Sequence, residues 1–391
     1  MELNRLNSIF FLGAGGIGMS ALARYCLAKG MVVSGYDKTP SPITMALQQE
    51  GATISYEDDP AILPDKIDLV VYTPAVPKTT SLYKAIVIKN LPMVKRARFL
   101  GILTKGKRTI AIAGTHGKTT ISTMVVHILK TAGVRATAFL GGISTNYNTN
   151  YLADEPSDWI IVEADEFDRS FLELEPDIAL VSAMDADHLD IYGNEEALRE
   201  SFREFVSRIK QGGVLIKKRG LDINPSKHVK MLLYHLHAPA DLYSSGIGVK
   251  QGAFQAGFEG LLNCQSFSFG LPGRHNIENA LGAALVASCV GIDEKTISKS
   301  LGSFQGVKRR FERCYEGNNW VVIDDYAHHP EEIKASIQAA KELYPGKELT
   351  VIFQPHLFSR TRDLADGFAS SLGMANRLLL LDIYPARELP V

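Results

Sequence analysis

The segment with the clearest chemistry is Ala113-Gly114-Thr115-His116-Gly117-Lys118-Thr119-Thr120. Its glycines let the backbone turn tightly and aim N–H groups at phosphate oxygens, Lys118 adds positive charge, and a threonine hydroxyl can reach magnesium. The segment follows an apolar run, Thr109 to Ala113, and precedes a helical pattern, Ile121 to Ala132, so it lies between a strand end and a helix N-terminus. That is the setting of a nucleoside triphosphate. Only Thr115 and His116 separate the glycines, fewer than in the usual GxxxxGK[ST] loop, so a generic NTPase is a loose description.

Gly13-Ala14-Gly15-Gly16-Ile17-Gly18 is a second glycine loop, placed after strand Ile9 to Leu12 and before a helix from Met19 to Lys29. Asp37 ends the next strand and suits a ribose hydroxyl. Alone, the pattern fits NAD, FAD or any other nucleoside diphosphate. Beside a triphosphate loop it argues against a dehydrogenase, which needs one nucleotide, and for a ligase that activates a nucleotide-linked acceptor with ATP.

Carboxylates gather at two strand ends. Trp159 to Val162 runs into Glu163-Ala164-Asp165-Glu166, and Ile178 to Ser182 runs into Asp185-Ala186-Asp187-His188-Leu189-Asp190. Strand C-termini are where open α/β sheets bind ligands. Hard oxygens with one imidazole suit magnesium, which makes Glu163 and His188 candidate ligands with Thr119. Asn276 and Asn279, three apart on one helix face, can meet an adenine edge, although asparagines also cap helices. Later strand ends carry Asp324-Asp325-Tyr326-Ala327-His328-His329-Pro330 and Gln354-Pro355-His356-Leu357-Phe358-Ser359-Arg360. Arg360 can clamp a carboxylate bidentately and Arg310 can neutralise developing phosphate charge, whereas most surface arginines are only solvated.

The elements that must hold these groups are short apolar runs alternating with helical patterns, which predicts an α/β protein with parallel sheets. At 391 residues and 46% hydrophobic content the chain exceeds a single core. Boundaries are expected near 106 and 308, dividing the chain into 1–106, 107–308 and 309–391. Three strands are few for an independent doubly wound domain, so the last unit is expected to be incomplete. The 42 basic and 43 acidic residues nearly cancel, which favours neither nucleic acid nor an anionic membrane as partner. Cys26, Cys264, Cys289 and Cys314 are scattered and read as free thiols. Without an 18-residue apolar run or a signal peptide, a soluble cytoplasmic protein with no membrane insertion is expected.

Gly114 to Thr120, Glu163 to Glu166, Asp187 to Asp190, His275 to Asn279, Arg309-Arg310-Phe311-Glu312 and Asp324 to Pro330, in this order, resemble the Mur ligase family over nearly the whole chain. Within it, Gly18-Met19-Ser20, Val71 to Pro77, Asp185 to Gly193 and the pair His328-His329 are similar to the alanine-adding branch. The competing branch is the peptide-recycling ligase. The resemblance implies three domains: an N-terminal Rossmann-like one for UDP-N-acetylmuramic acid, a central P-loop ATPase-like one, and a C-terminal Rossmann-like one for L-alanine. It implies ATP and Mg2+, for which Mn2+ can substitute, in a monomer or weak dimer.

By that likeness Gly114, Thr115, His116, Gly117, Lys118, Thr119 and Thr120 would cradle ATP, with Lys118 on the β- and γ-phosphates. Thr119, Glu163 and His188 would hold metal, Asn276 and Asn279 would meet adenine, Asp325 the ribose, and Arg310 the phosphates. Gly13, Gly15, Gly16, Ile17, Gly18, Met19, Ser20, Asp37, Thr73 and Ala75 would line the UDP-sugar site. Tyr326, His328, His356 and Arg360 would surround the amino acid, with His328 the candidate base and Lys118, His188 and Arg310 the other catalytic groups. Several relatives carry a carbamylated lysine beyond the position of His188. Here Arg203 falls in that area, and no carbamylation is predicted. Substrates touching three domains imply closure about the junctions near 106 and 308.

Overall fold

Five short strands with buried apolar centres open the chain in the computed structural model, which describes residues 3–185, 192, 194–237, 239–385 and 388. β1 (Ser8–Leu12), β2 (Val32–Tyr36), β3 (Thr53–Ser55), β4 (Leu69–Tyr72) and β5 (Met93–Lys95) form a parallel sheet in the order β3-β2-β1-β4-β5. Helices α1 (Ile17–Ala28), α2 (Pro42–Gln49), α3 (Ser81–Ile88) and α4 (Arg96–Thr104) connect them. The order reverses direction at β1 and β4, and Gly13 lies in the crevice between their ends. Its φ of 94° is left-handed, and a Cβ there would come 2.5 Å from the Thr73 methyl, so this turn requires glycine.

The central sheet has ten strands in the order β15-β14-β13-β12-β11-β10-β6-β9-β7-β8. Its parallel middle is β6 (Thr109–Ala113), β9 (Trp159–Glu163), β10 (Ile178–Val181), β11 (Val214–Lys218) and β12 (Lys230–His235). β7 (Ala136–Ser144) runs parallel to β9 but antiparallel to β8 (Thr149–Ala153). β13 (Leu242–Lys250), β14 (Ala253–Gly260) and β15 (Cys264–Ser268) extend the other side as an antiparallel meander. The expected parallel sheet is present as the middle of this one, with antiparallel pairs at both edges. These outer strands mix buried and exposed residues and are rich in glycine and serine, so they lack the continuous apolar runs of a strand covered on both faces. α5 (Lys118–Thr131), α6 (Glu195–Ser207), α7 (Arg274–Val290) and α8 (Glu294–Ser303) pack on this sheet.

The last segment holds β16 (Glu312–Glu316) antiparallel to β17 (Val321–Asp324), and β18 (Thr350–Phe353) parallel to β19 (Arg377–Leu380). α9 (Pro330–Leu343), α10 (Phe358–Asp363) and α11 (Ala365–Leu372) complete it. Its own core is small: Ile333, Ile337, Phe353, Phe368 and Leu372. The first two segments instead share one apolar cluster, in which Phe11, Met19 and Phe99 join Val162, Phe171 and Phe205. A buried polar latch crosses the same seam. Asn150 Nδ2 donates to Ile17 O at 2.6 Å and to Ser20 Oγ at 3.0 Å, while its Oδ1 accepts from Arg24, whose Nε reaches Glu50 at 2.8 Å. Opening near 106 would expose this seam, so the packing opposes movement there. The last segment packs on the central one as well, with Phe311, Ala339, Ala340 and Leu343 joining Ile277, Ala280 and Ala284 in another buried cluster. No helix among the described residues is long and apolar enough to cross a membrane. The four cysteines are free thiols.

Candidate active site

β6 ends at Ala113 and α5 begins at Lys118, so the phosphate loop spans a strand end and a helix N-terminus. Gly114 (φ 128°) lies against the Ser182 and Ala183 backbone, leaving no room for a Cβ, and Gly117 (φ 82°) would put one 2.6 Å from Asn279 Oδ1. Thr115 N donates to Ala183 O at 3.1 Å, and Asp185 N donates to Thr115 Oγ1 at 3.1 Å. The loop is thus tied to the end of β10, beneath a cavity of about 520 Å3. Lining it are the loop residues Thr115 to Thr120, Glu163, Asn276, Asn279, Arg310, Asp325 and His328.

Lys118 Nζ bonds both carboxylate oxygens of the fully buried Glu166, at 2.7 and 2.8 Å. Burial alone would lower the ammonium pKa; Glu166, Asp165 and Glu163 outweigh it and hold Lys118 above the usual lysine range. Thr119 Oγ1 donates to Glu163 Oε1 at 2.8 Å, while buried Glu163 Oε2 has no hydrogen-bond partner. Burial pushes the Glu163 carboxyl up, against the pull of Lys118. A buried acceptor left open beside a threonine hydroxyl fits a hard cation. Gly141 makes the space, since a Cβ there would collide with the Glu163 carboxylate.

On the far wall Asn276 Nδ2 donates to Pro272 O at 2.6 Å, and Asn279 Nδ2 donates to Asn276 Oδ1 at 3.3 Å. The two share a helix face, and Lys218, paired with Glu278 at 2.8 Å, lies beside them. Burial pushes His275 down to about 4. Asp325 accepts from Phe311 N at 3.2 Å, Ala327 N at 2.9 Å and the Ser336 hydroxyl. Arg309 and Phe311 both have positive φ, 60° and 49°. This sparsely populated backbone turns Arg310 into the cavity, where its Nη1 lies 3.7 Å from Glu332 Oε1.

Glu332 is the hub of that wall. Its Oε1 is 3.3 Å from His116 Nδ1, and its Oε2 accepts the His328 N–H at 3.1 Å. Burial would raise its pKa; the His116 hydrogen bond, His328 and Arg310 outweigh that and hold the carboxyl well below the usual range. Burial pushes the His328 imidazole down, against Glu332. The His328 ring lies 5.0 Å from the Tyr326 ring and 6.5 Å from that of His356, and the Arg360 charge acts on it. The amino-acid candidates therefore gather around His328, the one of them that lines the cavity.

A second cavity, of about 290 Å3, opens on the first glycine loop and is lined by Gly16, Ile17, Gly18, Met19, Thr73 and Ala75 among others. Glu163 lines it as well as the first. Arg96 does too, 3.6 Å from Asp165. Gly13, Gly15, Ser20 and Asp37 do not line it: Asp37 Oδ2 accepts the Gly15 N–H at 2.7 Å and so braces the loop, while Ser20 belongs to the interdomain latch. His188 lies outside the described residues. Arg203 pairs with Glu196 at 2.7 Å and Glu200 at 2.9 Å on the exposed face of α6, away from both cavities. Glu166 lies within the quoted Glu163 to Glu166 run but was given no role of its own, and Glu332, Gly141 and Arg96 lie outside the motifs. A signal existed for two of them: Glu166 comes three after Glu163, and Glu332 falls within the first turn after His328-His329-Pro330.

Three family models match in succession: the Mur ligase family catalytic domain at 8–108, the Mur ligase middle domain at 112–287 and the Mur ligase glutamate ligase domain at 309–390. The chain is 46% identical over 400 residues to the UDP-N-acetylmuramate–L-alanine ligase of Parabacteroides distasonis, covering 100% of this chain and 86% of that protein. It is 45% identical to the protein of the same name from Christiangramia forsetii, again over 100% and 86%. The crystal structure of UDP-N-acetylmuramate–alanine ligase from Thermotoga maritima superposes with a TM-score of 0.85 at 28% identity, covering 96% of this chain and 85% of that one. Motif order, the two facing cavities and these likenesses agree that the chain belongs to the Mur ligase family.

Proposed function

We propose that this chain is the ATP-dependent ligase that joins L-alanine to the lactyl carboxylate of UDP-N-acetylmuramic acid, through an acyl phosphate with release of ADP and phosphate, in peptidoglycan precursor synthesis. The observation that carries the reading is Glu163, one carboxylate shared by the glycine-loop cavity and the phosphate-loop cavity. A carboxylate reaching from the sugar nucleotide meets the γ-phosphate of ATP across this residue. The likeness to alanine-adding ligases, which covers all of this chain and 86% of each of those proteins, favours L-alanine as the amino acid.

In this reading 1–106 holds the sugar nucleotide, 107–308 ATP, and 309–391 the amino acid. Gly114 to Thr120 cradle the phosphates, and Lys118 and Arg310 spread the transferring charge, so that catalysis is positioning plus electrostatics. Thr119 and Glu163, with His188, would hold Mg2+ or Mn2+, which supplies Lewis-acid charge at the phosphoryl oxygens. Asn276 and Asn279 present amides to adenine, and Asp325 faces the ribose. Tyr326, His356 and Arg360 orient the alanine. His328 takes the amine proton. Its Nδ1 donates to Tyr326 O at 2.8 Å, leaving Nε2 as the acceptor, and its lowered pKa keeps it neutral near pH 7.

The test is phosphate release from ATP and magnesium with UDP-N-acetylmuramic acid, adding L-alanine, glycine, L-serine or the tripeptide L-Ala-D-Glu-diamino acid in turn. Release that requires both the sugar nucleotide and L-alanine, and vanishes in Lys118→Ala, is the expected result. Response to the tripeptide alone would move the chain to the recycling branch.

A further inference from the structure

We propose that Glu332 is a positioning residue that locks the phosphate side of the site to the amino-acid side, a role resting on the ligase reading above. The geometry divides its carboxylate between the two. Oε1 serves the phosphate side, 3.3 Å from His116 Nδ1 of the loop and 3.7 Å from Arg310 Nη1. Oε2 serves the amino-acid side, accepting the His328 N–H at 3.1 Å and lying 3.5 Å from its ring Nδ1. Glu332 projects from the first turn of α9, behind His329, whose ring packs 4.8 Å from that of His116. Its side chain is 17% exposed, so these partners rather than water satisfy it.

A carboxylate is the one side chain of this length with acceptors on both oxygens; an amide must turn a donor toward either His116 and Arg310 or His328. Glu332 spans the junction near 308, reaching His116 of the central segment from α9 of the last one. It therefore sets the distance between the group that stabilises phosphoryl transfer and the group that receives the amine proton.

The experiment compares Glu332→Gln and Glu332→Asp with the full chain by phosphate release, with separate KM values, and by calorimetric binding of a non-hydrolysable ATP analogue. In Glu332→Gln, kcat should fall about 10- to 100-fold, the scale of one lost oriented contact in phosphoryl or acyl transfer. KM for UDP-N-acetylmuramic acid should stay within about twofold, because Glu332 does not line that cavity, and KM for L-alanine should rise. Glu332→Asp, which keeps both acceptors one methylene shorter, should fall between, and stands in if the amide variant does not fold. A kcat within twofold of the parent, or a rise in all three KM values alike, would overturn the proposal. If the parent shows no alanine-dependent release, the ligase reading is what fails. Analogue binding then decides alone: weakening severalfold in Glu332→Gln supports the lock, and unchanged binding refutes it.

Discussion

Lys118 Nζ lies 2.7 Å from Glu166 Oε1, and Glu166 is fully buried, so the cation meant for phosphate is already neutralised within the protein. The pair ties the start of α5 to the end of β9. Arriving phosphate oxygens must share a lysine that already has a partner, and the loop is thereby held in place before the nucleotide binds.

Removing one member of a buried pair leaves the other uncompensated, at a cost of about 3–5 kcal/mol. Lys118→Ala should therefore lower Tm as well as reduce turnover by at least about 100-fold. Adding Glu166→Gln to Lys118→Ala should restore most of the stability and none of the turnover. Thermal melts beside phosphate-release assays check this, and a double variant as unstable as Lys118→Ala would remove Glu166 from the account.

Gly141→Ala places a methyl group against the Glu163 carboxylate. The side chain must rotate away from Thr119, so the magnesium concentration for half-maximal rate should rise about tenfold, as for loss of a residue supporting a metal ligand. A magnesium titration of the variant reads this directly. An unaltered titration curve would show that Glu163 is not a ligand.

His275 is held neutral by burial, with its pKa at about 4 against about 6.5 in an unfolded chain. Between those values the unfolded chain binds a proton that the native one does not. This residue's contribution therefore makes stability fall as pH drops from about 6.5 to about 4, by at most about 1.4 kcal/mol per unit. Denaturant melts across that range should show a shallower decline in His275→Gln. Parallel curves would place the acid sensitivity elsewhere.

Asn150→Ala removes one hydrogen bond each from Ile17 O, Ser20 and Arg24. Ile17 O and Ser20 Oγ still bond each other and Arg24 still bonds Glu50, so each hydrogen bond lost costs about 0.5–1.5 kcal/mol. Because Ile17 lines the glycine-loop cavity, KM for the sugar nucleotide should rise severalfold with kcat nearly unchanged. Steady-state kinetics with that substrate varied make the test, and a fall in kcat alone would contradict it.

The strands Thr109–Ala113 and Trp159–Glu163, the glycine loop and the phosphate loop were legible because each is local. Strand periodicity, turn glycines and a helix start lie within about a dozen neighbouring residues. For the same reason the chemistry of Lys118, Thr119 and Glu163 could be read from type and order. The meander Leu242–Ser268 was not legible, since its strands are stabilised by neighbours across the sheet rather than by apolar runs of their own.

The α/β class, the two nucleotide loops and the residue types at each strand end follow from short-range backbone and side-chain preferences, which the order of residues carries directly. Only the tertiary structure decided that Glu163 faces two cavities, that Lys118 is paired with Glu166, and that Glu332 joins His116, Arg310 and His328. His116 and Glu332 stand 216 positions apart. A contact of that range leaves no periodic trace along the chain, because it is the packing of separate units that brings the two together.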